Sequence, residues 1–276
     1  MPVTNPAEIF AVNTYSYTVG WTAADCVSHL ADQGYPGFEV MMYPGHLWPT
    51  DTAAARHLVQ ALERTGTRLV AANMPNVDLN VAGASEEMRA YSIDLISRFI
   101  ALSGDIGAPA IVLGPGKANP LFPDDREVLK GRFFRALDRF VPVAEKGGVR
   151  LLIENIAFAF LPDAPSLLRA VEEYGHDGIG IIYDVANAHF IGEDPCEGLR
   201  LVRDRLGLVH FSDTGRSVYR HDPVGMGDVP FAAVPPVLAE VGYAELPVLE
   251  VISRTPDADT LDSACRLAEA GFGAAG

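Results

Sequence analysis

The sequence predicts a (β/α)8 barrel of the α/β class. Three observations carry that prediction: short apolar runs alternate with longer amphipathic ones, eight such pairs occur, and 276 residues is the usual length of one such barrel. The first apolar run covers residues 9–15 (IFAVNTY), and the second covers 37–43 (GFEVMMY). The next three are 68–74, 110–116 and 150–156, and the last three are 178–185, 207–213 and 247–253. Runs that are apolar at nearly every position suit strands buried on both faces, as in a parallel sheet. Between them lie segments with helical signals. The segment 22–34 ends on Gly34, and 51–66 begins on an N-cap Asp51 and ends on Gly66. The segment 85–107 begins on Ser85 with acidic residues in its first turn. Helices are also expected over 124–146, 163–174, 194–206, 229–241 and 258–270.

Such alternation implies parallel strands joined by right-handed crossovers. A doubly wound open sheet is the alternative, but no GxGxxG follows the first strand and no GxxxxGK[ST] occurs. No linker divides the chain, so residues 1–276 are expected to form a single barrel domain, with the tail 271–276 fraying.

Composition excludes several roles. The formal net charge of −15 would be repelled by nucleic-acid backbone and by an anionic membrane surface. No stretch approaches the roughly 20 apolar residues that span a bilayer. The N-terminus lacks the basic-then-apolar pattern of a signal peptide. Cys26, Cys196 and Cys265 are odd in number, widely spaced and in no CxxC pair, which argues against a disulfide framework and a thiolate zinc site. A reducing, cytoplasmic setting is the expectation.

In a barrel of this kind function sits where strands end and loops begin. Glu154, Asp184, His210 and Glu250 close or nearly close the last four apolar runs. A charge at the end of a buried strand costs several kcal/mol (about that order) unless it is paired or bound to a metal. Three carboxylates converging on one rim would repel each other, and a divalent cation removes that conflict. Three oxygens and one imidazole suit Mn²⁺ as first choice, with Mg²⁺, Co²⁺ or Zn²⁺ as alternatives.

The motifs GFEV at strand two, LLIEN at strand five and IIYDVAN at strand six occur in order. They are followed by VHFSD at strand seven, HDPVGMGD at 221–228 and VLEV at strand eight. In this arrangement the chain resembles the sugar phosphate isomerase/epimerase family, the xylose isomerase-like or AP-endonuclease-2 barrels, over nearly its whole length. The resemblance implies one catalytic divalent metal on Glu154, Asp184, His210 and Glu250. By resemblance to the ketose 3-epimerase branch, Glu154 and Glu250 would also be the acid/base pair on opposite faces of the substrate.

Two departures bear on the reaction. Those epimerases usually carry a histidine three residues after the strand-six aspartate, where this chain has Asn187, with His189 the nearest histidine. The DNA-repair branch, similar to endonuclease IV, needs histidines where this chain has Asn73 and Gly114; only His210 and His221 match. A DNA-cleaving role is therefore not expected.

Further candidates for substrate contact are Asn187, Arg216, His221, Lys117 and Glu39, together with His46 and Trp48 from the loop YPGHLWP. Asp213 is a candidate to orient His210. Together these readings lead to a metal-dependent isomerase or epimerase of a small sugar, keto-sugar or polyol, acting through an enediolate. The alternatives are a lyase or dehydratase using the same site by β-elimination from a keto-sugar, inosose, dehydroshikimate or 3-keto-glycoside, and a non-catalytic partner subunit. The expected partner is a small carbohydrate-like molecule, with no nucleic acid, no membrane and room for a homo-oligomer.

Overall fold

In a computed structural model of the chain, which describes residues 5–273, all eight apolar runs contain strands. They are β1 (Ala11–Asn13), β2 (Gly37–Met41), β3 (Arg68–Asn73), β4 (Ala110–Leu113), β5 (Arg150–Glu154), β6 (Ile179–Asp184), β7 (Leu206–Phe211) and β8 (Val248–Leu249). Each pairs in parallel with its sequence neighbour, and β8 closes onto β1 through Ala11 opposite Val248. The fold is a closed (β/α)8 barrel.

The helices are α1 (Ala23–Asp32), α2 (Thr52–Thr65), α3 (Glu86–Asp105), α4 (Arg126–Gly147), α5 (Ala164–Tyr174), α6 (Val185–Phe190), α7 (Pro195–Val202), α8 (Val234–Glu240) and α9 (Pro256–Glu269). Their starts follow the capping chemistry of the sequence. Asp51 accepts hydrogen bonds from the Ala53 and Ala54 amides at the head of α2, and Gly66, at φ +67°, closes that helix in the left-handed region. Ser85 caps α3 through the Met88 amide.

Two helices differ from expectation, and one is additional. The segment 194–206 is helical only over Pro195–Val202, and Leu206 already belongs to β7. The segment 229–241 starts with a 3₁₀ turn at Phe231–Ala233 before α8, consistent with the missing amide donors of Pro230, Pro235 and Pro236. Six-residue α6, directly after β6, falls where the sequence offers no helical segment. It is too short to show a helical period, and its one signal is the N-cap Asp184.

Two apolar layers hold the barrel. Inside it, Ala11, Val70, Val112, Leu152, Ile182, Leu208 and Val248 pack together. Outside it, a continuous layer joins the strands to the helices, with Phe38, Phe99, Phe133, Phe140 and Phe211 fully buried. Fraying was expected from residue 271, yet Phe272 is buried against Phe10 and Phe211 at ring distances of 6.0 and 4.9 Å. Residues 274–276 lie outside the described residues. Among the described residues no helix is long and apolar enough to cross a membrane.

One half-buried carboxyl outside the strand-end cluster sets a pH dependence. Glu193 accepts from the Ala164 amide at the start of α5, and burial pushes its carboxyl up to about 7. A folded-state value above the unfolded one means the folded chain binds more protons in this window. Stability is therefore present at low pH and falls as pH rises through about 7. Glu193→Gln keeps an acceptor for Ala164 and removes the titration. Thermal melts should show the variant gaining more over wild type at pH 8 than at pH 5.

Candidate metal centre and substrate pocket

The polar strand ends meet at the C-terminal mouth of the barrel. Asn13 stands opposite Glu39, and Asp184 stands opposite His210 in the strand ladders. One donor atom from each of Glu154, Asp184, His210 and Glu250 lies within 4.8 Å of those of the other three, and all four residues are buried.

Neighbouring groups leave three of the four side chains, Asp184, His210 and Glu250, with one buried atom unpartnered. Asp184 Oδ1 accepts from the Asn187 amide at 2.8 Å as the N-cap of α6, while Oδ2 has no hydrogen-bond partner. Glu250 Oε1 accepts from Asn13 Nδ2 at 3.2 Å, while Oε2 has no partner. Glu154 Oε1 accepts from Asn187 Nδ2 at 3.3 Å. His210 Nε2 lies 2.8 Å from Glu39 Oε2, while Nδ1 has no hydrogen-bond partner and sits 3.2 Å from Glu250, 3.7 Å from Glu154 and 3.9 Å from Asp184. Buried polar atoms are rarely left unpaired, since each costs about 1–3 kcal/mol. Three such atoms facing one point, all hard oxygen or imidazole nitrogen, fit a divalent cation.

Electrostatics agree with the geometry. Burial acts to lower the His210 imidazole, but the charges of Glu39, Glu250 and Glu154 outweigh it and hold the ring well above the usual histidine range. Burial raises the Glu154 carboxyl to about 7, with Glu250 and Asp184 adding and His210 opposing. Burial also raises Asp184, with the Glu250 charge adding and His221 and His210 opposing. For Glu250 burial pulls upward, but His210 and His221 outweigh it and hold the carboxyl at about 2. Without a cation, the cluster keeps its charge balanced by taking up protons.

Glu39 is the foundation of the centre. It is fully buried, and besides His210 it accepts from Asn13 Nδ2 at 2.6 Å and Asn73 Nδ2 at 2.7 Å. Glu39 accepts from the His210 Nε2–H, so when a cation displaces the second ring proton it is Nδ1 whose lone pair faces the cluster. Asp213, expected to orient His210, does something else. Its oxygens accept from the amides of Thr214, Gly225 and Val229 and so shape the loop after β7.

The structure brings only some of the candidates together. Asn187 and His221 reach the centre. His221 Nδ1 is 3.0 Å from Ser212 Oγ and 3.4 Å from Glu250 Oε2, and its Nε2 is 2.8 Å from the Tyr219 hydroxyl. His46 is buried between Thr14 and the Trp21 carbonyl, stapling loops beneath the rim. Trp48 packs edge-on against Phe99 at 5.1 Å. Arg216 is exposed on its loop and makes no ion pair among the described residues. The Lys117 ammonium donates to the carbonyls of Asn76 and Val77, and so ties a loop. None of these four points into the centre.

Above the cluster lies a cavity of about 350 Å³ whose walls include Glu154, Glu250 and His221, with Tyr15, Tyr43, Met74, Ile156 and Tyr219. Sequence reasoning missed Asn13, Tyr15 and Tyr219. Asn13 ends β1 and carried the same strand-end signal as the ligand set, though no charge drew attention to it. Tyr15 opens a single 3₁₀ turn and Tyr219 sits on a loop, where no periodicity marks them. Burial raises both phenols, with carboxylates of the pocket adding, so both stay neutral donors.

Known proteins share this architecture. A D-tagatose 3-epimerase-like protein superposes with a TM-score of 0.82 at 22% identity, covering 95% of this chain and 96% of that one. A 3-keto-D-glucoside 4-epimerase from E. coli superposes with a TM-score of 0.79 at 18% identity, over 95% of this chain and 99% of that one. By sequence, an L-ribulose 3-epimerase of Mesorhizobium japonicum is 23% identical over 235 residues, 82% of this chain and 76% of the relative. A probable endonuclease 4 of Mycobacterium tuberculosis is 28% identical over 163 residues, 55% of this chain and 61% of that protein. The family profile described as xylose isomerase-like TIM barrel matches residues 27–270, which takes in all four residues of the cluster. The chain belongs to the xylose isomerase-like TIM barrel family.

Proposed function

We propose that this chain is a divalent-metal-dependent isomerase or epimerase of a small keto-sugar or polyol, with its whole length serving one barrel-mouth site. The observation that carries the reading is the set of unpartnered buried atoms on Asp184, His210 and Glu250 facing a common point beside Glu154. Those four residues would hold the metal, with Mn²⁺ as first choice and Mg²⁺, Co²⁺ or Zn²⁺ as alternatives. When bound, the cation supplies Lewis-acid stabilisation of the negative charge that develops on an enediolate. The rest is the work of side chains. A carboxylate from β5 or the end of β8 removes the proton next to the carbonyl, and the other returns a proton to the opposite face. Asn187 steadies Glu154, and Asn13 steadies Glu250. The family membership and the likeness to sugar epimerases support this reaction class.

Endonuclease chemistry is the reading that the site argues against. Asn73 is committed to Glu39, and a Cβ at Gly114 would lie 2.9 Å from the Ile156 side-chain tip and 3.2 Å from Asn76 Oδ1, so a histidine there would have to displace both. The net charge of −15 adds repulsion from DNA.

The test is a panel of keto-sugars and cyclitols with Mn²⁺ in D₂O, followed by proton NMR and mass spectrometry. The reading expects deuterium at the carbon next to the carbonyl and a product of the same composition. Loss of water or of an aglycone would make the enzyme a lyase. Failure of every member to exchange would sink the reaction class.

A further inference from the structure

Beside the main pocket is a second cavity of about 160 Å³, and the two share Met74, Asn76, Val77, Ile156 and Tyr219 as a common wall. Its remaining surface is mostly apolar, with Leu79, Val81, Ile96 and Ala159 among its walls. The polar side chains around it are engaged elsewhere. Asn76 Oδ1 accepts from the Gly114 amide at 2.8 Å, the Tyr219 hydroxyl is bonded to His221, and Lys117 is held by two carbonyls. The backbone after β4 makes close approaches here. Gly116, at φ +104°, would bring a Cβ within 2.7 Å of Ala82.

We infer that this annex is an apolar subsite, and that the compound handled at the cluster carries an uncharged ring or branched apolar group that lodges there. The inference rests on the reaction reading above and narrows it. The substrate class becomes an α-hydroxy ketone of sugar type bearing an apolar substituent, such as a glycoside with an aromatic aglycone, and not a phosphorylated sugar. Size supports a ring, because an apolar cavity of about 150 Å³ is large enough to take up benzene. Position supports a substrate tail, because four of the five shared residues present apolar or aromatic surface to both cavities. Filling such a pocket is worth about 10-fold or more in kcat/KM, judged from the roughly 10–200-fold value of one methylene in a fitted pocket.

The experiment uses the 276-residue chain loaded with Mg²⁺ and fluorobenzene as the probe, followed by ¹⁹F NMR, then repeated with Mn²⁺. The subsite predicts saturable binding of one fluorobenzene per chain, broadening of its signal by Mn²⁺, and at least 10-fold weaker binding in Ala159→Leu. Metal stoichiometry serves as the folding control, and Val81→Ile, which adds one methyl group, is a second filling variant should the first fail that control. Absence of saturable binding, absence of broadening, or equal binding in the filled variants overturns the subsite. A paired kinetic arm compares the phenyl and methyl glycosides of one keto-sugar by deuterium exchange. At least a 10-fold preference for phenyl, lost in the filled variant, supports the proposal. Exchange without preference overturns it while leaving the reaction reading intact. Fluorobenzene binding as expected with no exchange on any sugar overturns the reaction reading and upholds the annex as an apolar ligand site.

Discussion

Glu250→Gln should lose turnover by about 10²–10⁴-fold, the usual worth of a positioned acid or base, while the barrel stays folded. The change is nearly isosteric. Glu250 Oε1 accepts from Asn13, and the amide oxygen of glutamine can accept in its place. What is lost is the charge and the proton-carrying oxygen at Oε2, the atom that has no hydrogen-bond partner and faces His210. Substrate binding through the walls of Tyr15, Tyr43 and Ile252 is untouched, so the loss should fall mainly on kcat. Glu154→Gln should behave similarly, because its Asn187 contact is also compatible with an amide. The check is steady-state deuterium exchange on whichever keto-sugar the wild type accepts, with circular dichroism as the folding control. Retained turnover in Glu250→Gln would remove Glu250 from the acid/base role and leave it only as a ligand.

Glu39→Ala should weaken divalent-metal binding by about 10–100-fold although Glu39 is not among the four ligands, the typical cost of removing the group that orients a metal-binding histidine. The mechanism is tautomeric. Without the carboxylate at 2.8 Å from Nε2, nothing fixes that nitrogen as the protonated one, and Nδ1 ceases to be reliably the lone-pair nitrogen. The same substitution strips an acceptor from Asn13 and Asn73, and each buried amide left unpaired costs about 1–3 kcal/mol. Melting temperature and metal affinity should therefore fall together. Glu39→Gln separates the two effects, because it keeps an acceptor and lacks the charge. It should recover most of the stability and less of the affinity, read by competition with a chromophoric chelator.

The barrel was legible in the sequence because each strand is buried on both faces, so composition alone marks it. Eight apolar runs with capped helical segments between them leave little choice of topology. The cluster was legible for a related reason. Charge at the end of a buried strand is costly, so Glu154, Asp184, His210 and Glu250 stand out against VLEV- or IIYD-type runs. The loops were harder to read. His46 and Trp48 looked like rim residues in YPGHLWP, but a loop has no period, and both turn inward to pack against Thr14 and Phe99. Lys117 stood among the candidates for substrate contact, yet its ammonium satisfies two carbonyls that sequence cannot place nearby. Asp213 seemed the natural partner of His210 because it lies close in sequence. The actual partner, Glu39, is 171 residues away and meets His210 only because the barrel closes. The neutral Asn13 was overlooked because a strand-end amide carries no desolvation alarm comparable to a carboxylate's.

The most direct test of the central claim is metal analysis of the purified chain. Chelator-stripped protein should take up one Mn²⁺ per chain by isothermal titration, with a rise in melting temperature of several degrees, because a cation bound only by the folded state stabilises it in proportion to its affinity. His210→Ala and Asp184→Ala should each abolish that uptake. A wild-type chain that binds no divalent metal, or variants that bind it as tightly as wild type, would contradict the account.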